Sequence, residues 1–192
     1  MAKQQWKSGN MVYPLPAVMV SCGNNDVSNI VTVAWTGTIC TNPAMTYISL
    51  RPSRYSYDII KENKSFVINL TTKKLLFATD FCGVRSGRDI NKFEKMGLTS
   101  IYGDATGCPM IDESPVNIEC TVDEIKQLGS HDMFIATVVN VYADDKYMDD
   151  NGKFHLNKTE LVAYSHGGYF ELGKQLGSFG YSVRKKKKTK NL

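Results

Sequence analysis

The sequence predicts a mainly β protein, an antiparallel barrel carrying a few short α-helices. Three observations lead there. Strand-like segments follow one another across short turns, which is the signature of hairpins. The helical patterns are few and grouped in the middle of the chain. The regular alternation of strand and helix that a doubly wound sheet needs is missing.

Residues 1–13 are polar, with Trp6, Met11 and Tyr13 interspersed, and read as an arm on the body. Pro14 and Pro16 suit the stiff entry or edge of a first strand over 14–21. Gly23, Asn24, Asn25 and Asp26 are turn residues. Residues 28–38 then read as one continuous second strand, with Thr32, Ala34 and Thr36 on one face and Val31, Val33 and Trp35 on the other. The first of those faces is small and hydroxyl-lined, so it leaves room for a neighbour. Asn42 and Pro43 break the chain before a third strand over 45–51.

A polar turn over 51–56 leads into a helix over 57–63, which Ser53 or Ser56 could cap. A compact strand occupies 65–70, and residues 73–81 have helical spacing. A loop is expected over 82–87 and a short amphipathic helix over 89–96, ended by Gly97. Over 115–125 apolar and polar residues alternate, with Asn117, Glu119, Thr121 and Asp123 on the polar face. His131 opens another long strand to Tyr142, making a second hairpin. A last short strand is expected over 161–164, then a flexible link over 165–168 and an irregular, glycine-punctuated stretch over 173–180.

Length and apolar content suit one domain that needs no disulfide staples, set at residues 1–183, with a basic and disordered tail over 184–192. The tail from Arg184 to Lys190 holds six positive charges, more than the whole net charge of +4. The rest of the chain is therefore slightly acidic, and nucleic-acid binding by the body is not expected. A tail-mediated hold on nucleic acid or an anionic membrane is a minor alternative that truncation would test. The five cysteines show no Cys-x-x-Cys spacing, which argues against a zinc site and fits free thiols in a cytoplasmic protein. No signal peptide or membrane span is read. Rossmann, P-loop and nucleophile-elbow motifs are all missing, and no His-x-x-x-His pair is present.

What remains is a set of hydroxyls and bases near strand ends. Ser49, Arg51, Ser53, Arg54 and Ser56 crowd a strand end and a helix start, where amides, hydroxyls and guanidinium groups favour an oxyanion. By spacing alone Lys92 is a solvent-facing lysine, and His131 and Trp35 are an edge histidine and a core aromatic.

The order of these pieces resembles the flavin reductase-like family with the FMN-binding split barrel, most closely its flavoredoxin branch. The resemblance covers residues 13–185. It rests on Pro14, Pro16 and Val20, on Asn29, Thr32, Ala34, Trp35 and Thr36, and on the run from Ser49 through Arg51, Ser53, Arg54 and Tyr55 to Ser56. Phe66 to Asn69, Ser86 to Asp89 with Lys92 and Phe93, and His131 with Phe134, Ala136 and Val138 continue it. Tyr169, Phe170, Gly173 and the stretch from Gly180 to Arg184 complete it.

The resemblance implies a Greek-key-like split barrel binding FMN as a homodimer, with flavin at the interface. Asn29, Thr32, Val33, Ala34, Trp35 and Thr36 would line the flavin, and His131 would approach its ring. Ser49, Arg51, Ser53, Arg54, Tyr55 and Ser56 would surround the ribityl phosphate, with Lys92 adding a cation. Phe170 or Tyr169 would come from the partner subunit. The activity implied is an oxidoreductase passing electrons through FMN from NAD(P)H or a redox protein to an acceptor. The alternative is an electron carrier without NAD(P)H activity of its own.

Overall fold

The computed structural model describes residues 1–184, and the expected basic tail beyond Arg184 lies outside them. In chain order the strands and α-helices are β1 (Leu15–Pro16), β2 (Val18–Gly23), β3 (Ser28–Val33), β4 (Thr36–Cys40), β5 (Met45–Leu50), α1 (Tyr55–Asn63) and β6 (Ser65–Leu70). Then come α2 (Leu76–Val84), α3 (Lys92–Met96), β7 (Ser100–Tyr102), β8 (Pro109–Ile111), β9 (Val116–Gln127), β10 (Asp132–Ala143), β11 (Val162–Ser165) and β12 (Gly168–Glu171).

Seven strands form one sheet in the order β3-β2-β6-β9-β10-β5-β4. Every pairing in it is antiparallel. β3 and β4 are neighbours in the chain yet lie at opposite edges. Two residues, Ala34 and Trp35, carry the chain from one edge to the other, so the sheet must curl until the edges approach; the Ser49 amide donates to the Trp35 carbonyl at 2.9 Å, which extends the β4–β5 ladder to the seam. No ladder joins β3 to β4, so the barrel is split, as expected. The continuous strand expected over 28–38 is therefore two strands. One strand cannot occupy both edges, so Ala34 and Trp35 carry the chain across the seam.

β2 is buried along its whole length because it is covered on both faces. Val18, Val20 and Cys22 meet Val31, Ile48, Phe66 and Phe134 in the barrel interior. Met19 meets Ile30, Leu75, Cys82 and Phe93 outside it, under α2 and α3. Each fully buried large side chain such as Phe66 or Phe134 contributes about 1.5–3 kcal/mol. The helical layer lies over β2 and β3, which puts helix ends beside the β3 edge.

Several local expectations change. α1 starts two residues early, with Arg54 at its N-cap and no side-chain cap; Ser56 lies inside the helix and Ser53 does not cap it. α2 runs into the expected loop as far as Val84. α3 is shorter than expected because Asn91 caps it, accepting from the Glu94 amide at 3.3 Å; Gly97 ends it in the left-handed conformation. Asn117 and Glu119, expected to face outward, are buried where the 100–111 hairpin covers β9. Glu119 accepts from the Thr106 hydroxyl (2.7 Å) and amide (3.0 Å) and from the Ala105 amide (3.4 Å). The 165–168 link is a tight turn, with Ser165 paired to Gly168 and both His166 and Gly167 at positive φ.

Candidate functional site

β3 is an edge strand, so one side of its backbone is free of ladder partners. The Ile30 carbonyl points to that side, because the Lys92 ammonium takes it. By the period of the strand, Thr32 presents its backbone the same way. Along this edge run two adjoining cavities of about 440 and 390 Å³. Val31, Arg51, Arg54 and Val84 line both.

The smaller cavity is the cationic end. Arg51, Arg54, Arg85 and Lys92 line it, with Asn29, Ser53, Tyr55 and Ser56, and its lining holds no carboxylate. The first amides of α1 point out of the helix without intrahelical partners. Ser56 is fully buried, and its oxygen accepts from Asn29 Nδ2 at 2.8 Å, which leaves the hydroxyl proton to donate. Arg54 is pinned by a bond from Nη1 to the Gly83 carbonyl at 3.0 Å. Lys92 is not the solvent-facing lysine its spacing suggests. It is 4% exposed and donates to the carbonyls of Ile30 (2.6 Å) and Cys82 (2.8 Å). Burial, with the charge of Arg54 adding to it, holds the Lys92 ammonium below the usual lysine range.

The larger cavity is the aromatic end. Thr32, Val33, Ala34, Trp35, Ser49 and His131 line it. The Trp35 and His131 rings lie 4.4 Å apart, tilted by 44°. His131 Nδ1 lies 2.9 Å from the Ser130 hydroxyl. Burial first, then the charges of Arg51 and Arg54, lower the His131 pKa below its ordinary value. Tyr13, Tyr164 and Tyr169 form the opposite wall. The Tyr169 hydroxyl donates to Asp80 at 3.1 Å, which ties the β11–β12 hairpin to α2.

Most residues expected from the sequence meet at these two cavities. Thr36 does not: it is buried and donates to the Tyr47 carbonyl at 2.6 Å. Phe170, expected from a partner subunit, is exposed on β12 and lines neither cavity of its own chain, whereas Tyr169 lines the larger one. The Thr32 hydroxyl, expected to face the open side, donates to the Thr79 carbonyl instead. Sequence reasoning missed Arg85, whose signal was an Arg in a Ser-Gly loop. It also missed Asp132, buried and accepting from the Tyr57 hydroxyl at 2.6 Å, which fixes α1 to the start of β10 beside His131. That bond pushes the Tyr57 pKa up to about 12. Among the described residues no cluster of His, Cys, Asp and Glu could hold a metal ion, and no helix is long and apolar enough to cross a membrane.

A split antiparallel barrel with a cationic and aromatic groove along its open edge defines a class of flavin-handling folds. The chain belongs to the flavin reductase like domain family, whose model matches residues 10–173. A relative described as an uncharacterized protein of Archaeoglobus fulgidus is 30% identical over 159 residues, covering 83% of this chain and 88% of its own. Among solved structures the chain is similar to flavoredoxin of Desulfovibrio vulgaris (Miyazaki F), with a TM-score of 0.86 and 27% identity over 95% of this chain and 100% of that one. It is similar also to flavoredoxin from Methanosarcina acetivorans, with a TM-score of 0.85 and 25% identity over the same shares. An FMN-binding protein from Thermus thermophilus shares the fold, with a TM-score of 0.77 at 19% identity over 92% of this chain and 99% of that one.

Proposed function

We propose that this protein is an FMN-dependent oxidoreductase of the flavin reductase-like family, passing electrons between NAD(P)H or a protein donor and an acceptor. The carrying observation is the pairing, on one edge strand, of a carboxylate-free cationic cavity with an aromatic-walled one. A flavin mononucleotide has the matching two ends, a phosphate dianion and a flat ring.

The residues present fit that group. Arg51, Arg54, Ser53, Ser56 and the first amides of α1 would hold the phosphate, with Tyr55 opening the helix and Lys92 adding charge from beneath. Asn29 keeps Ser56 in position. The edge backbone from Thr32 to Ala34 would offer donors to the pyrimidine side of the ring. Trp35 and His131, in contact with each other, would meet the ring from one side, and Val33 and Ser49 would complete its wall. FMN held there supplies hydride acceptance and release at its N5; the protein supplies orientation, exclusion of water and charge balance. His131, with its lowered pKa, is suited to a neutral hydrogen-bonding role at neutral pH.

The reading includes a homodimer. Phe170, Leu172, Leu176 and Phe179 are exposed and leave apolar surface for a second copy to cover. It treats residues 1–183 as one domain, supported by the pairing of Leu15 with Tyr164 near the two ends of the chain. Five free cysteines, four of them buried, favour a reducing compartment such as the cytoplasm.

The likeness to two flavoredoxins favours a second reading, an electron carrier with no NAD(P)H activity of its own. One experiment tests both. The purified protein is expected to show a flavin absorption spectrum, or to acquire one with added FMN. Anaerobic NADH or NADPH should then bleach it. Bleaching only by a reduced redox protein selects the carrier, and a protein that takes up no FMN overturns the proposal.

A further inference from the structure

We propose that a cavity at the start of α2, apart from the flavin groove, is a second binding site, and that it takes a small organic acid, a carboxylate on an apolar body. The cavity holds about 450 Å³, a size ordinary for small-molecule sites. It shares no lining residue with either cavity of the groove. Its floor is apolar: Leu75, Ala78, Met96 and Leu98 of the outer core line it, and Pro115 and Tyr147 add to it.

The polar end is a helix start that lacks its cap. A 3-10 turn over Lys73–Leu75 leads directly into α2. Thr72 stands at the N-cap in extended conformation, where a threonine oxygen ordinarily takes an amide of the first turn. It makes no such bond. The Lys73 amide donates to the Glu160 carbonyl and the Leu75 amide to the Thr72 carbonyl, both at 3.0 Å. The Lys74 amide between them has no partner among the described residues.

Thr72 is only 7% exposed, and among the described residues its hydroxyl has no partner either. Among those residues Ser100 carries the one side-chain oxygen sealed inside the protein without a partner. The Thr72 oxygen therefore meets open space, and the open space that Thr72 lines is this cavity. A hydroxyl and an amide left together without acceptors suit one oxyanion. Two neutral donors are enough for a carboxylate but few for a phosphate dianion.

The charges agree. Lys74 and Lys95 line the cavity and form no ion pair among the described residues. The other charged groups of the lining are already answered. Lys146 pairs with Asp144, and Glu113 accepts the Thr99 amide with both oxygens, at 2.9 and 3.1 Å. Glu160 faces Lys73, whose pKa is raised first by Glu171 and further by Glu160. A bound carboxylate would take the Thr72 hydroxyl and the Lys74 amide, with Lys74 and Lys95 as counter-charge, and its apolar body would cover the floor.

The test uses the full chain, with phenylbutyrate and its uncharged mate phenylbutanol as probes. Titration calorimetry and the Met96 methyl signal in NMR are the readouts. Wild type is expected to bind the acid with a Kd of about 1 mM or tighter, and the alcohol about tenfold more weakly. Thr72→Val keeps the bulk and removes the donor, and should weaken the acid about tenfold. Lys74→Gln with Lys95→Gln, both at exposed positions, should weaken it by a similar factor. Neither variant should change phenylbutanol binding by more than about twofold. Arg54→Ala, in the flavin groove, should leave acid binding and the Met96 shift as they are. No heat or no Met96 shift in wild type overturns the site. Acid binding that ignores Thr72→Val, or equal weakening of acid and alcohol, overturns the carboxylate assignment. Acid binding lost in Arg54→Ala would place the acid in the groove and overturn the second site.

Discussion

The two ends of the groove are built in opposite ways. The cationic end sets exposed Arg51, Ser53, Arg54 and Arg85 over a braced base: buried Lys92 spans two carbonyls, buried Asn29 fixes Ser56, and Gly87 is packed too tightly to carry a side chain. The aromatic end is assembled from partly exposed rings on separate segments, with Tyr13 from the arm, Trp35 from the barrel seam and Tyr169 from a terminal hairpin. Preformed donors suit an anion that must be held the same way each time. Rings joined mainly by edge and tilted contacts can adjust to whatever approaches. The difference teaches that affinity and adaptability occupy opposite ends of one edge strand.

The largest expected effect tests the base of the cationic end. Lys92→Met keeps the bulk of the side chain and removes both donors, leaving two buried carbonyls unpaired. Each such loss costs about 1–3 kcal/mol, so urea denaturation should show a fall of about 2–6 kcal/mol. A variant as stable as wild type would break the claim that this end is structurally braced. Next comes the double change Arg54→Ala with Ser56→Ala. FMN affinity should fall about ten- to hundredfold, from loss of charge-assisted bonds of about 1.5–3 kcal/mol, while riboflavin affinity changes much less. Equal weakening of both would contradict the phosphate assignment.

The contrast also explains what the sequence could show. Turn residues and period-2 patterns made the hairpins legible, as in the strand over 65–70 and the run from Val116 to Val122. The seam at Ala34 and Trp35 was hidden, because both sides of it have strand composition and only closure of the whole sheet forces the break. The Ser49–Ser56 cluster was visible as a run of donors in one turn. The burial of Lys92 was not, because the carbonyls it meets belong to Ile30 and Cys82, on two other elements. Glu119 misled the alternation for the same reason: its partners lie in a loop that folds over it. Tyr57 and Asp132, 75 positions apart, carried no mutual signal.

The aromatic end gives smaller expected effects. The His131 pKa lies below its ordinary 6.5, chiefly from burial and then from Arg51 and Arg54. Its folded value is depressed, so its part of the stability is lost as pH falls from 6.5 through the folded value. Imidazole shifts followed by NMR should give a midpoint below 6.5, and Arg54→Ala should move it upward. A midpoint that ignores Arg54 would separate the two ends electrically.

The smallest effect is expected from Tyr169→Phe. It removes one hydroxyl bond to Asp80 and keeps the ring beside Tyr164, 5.5 Å away. At a partly exposed site that bond contributes about 0.5 kcal/mol. Burial first, then Asp80, raises the Tyr169 pKa from 10.0 to about 12. A raised folded pKa makes the contribution complete below pH 10 and removes it as pH climbs through about 12. The stability gap between wild type and Tyr169→Phe should therefore be flat from neutral pH to about 10 and close above it. A gap of several kcal/mol, like that expected for Lys92→Met, would show that the hairpin is braced as firmly as the anion end. The two ends would then differ in chemistry but not in rigidity.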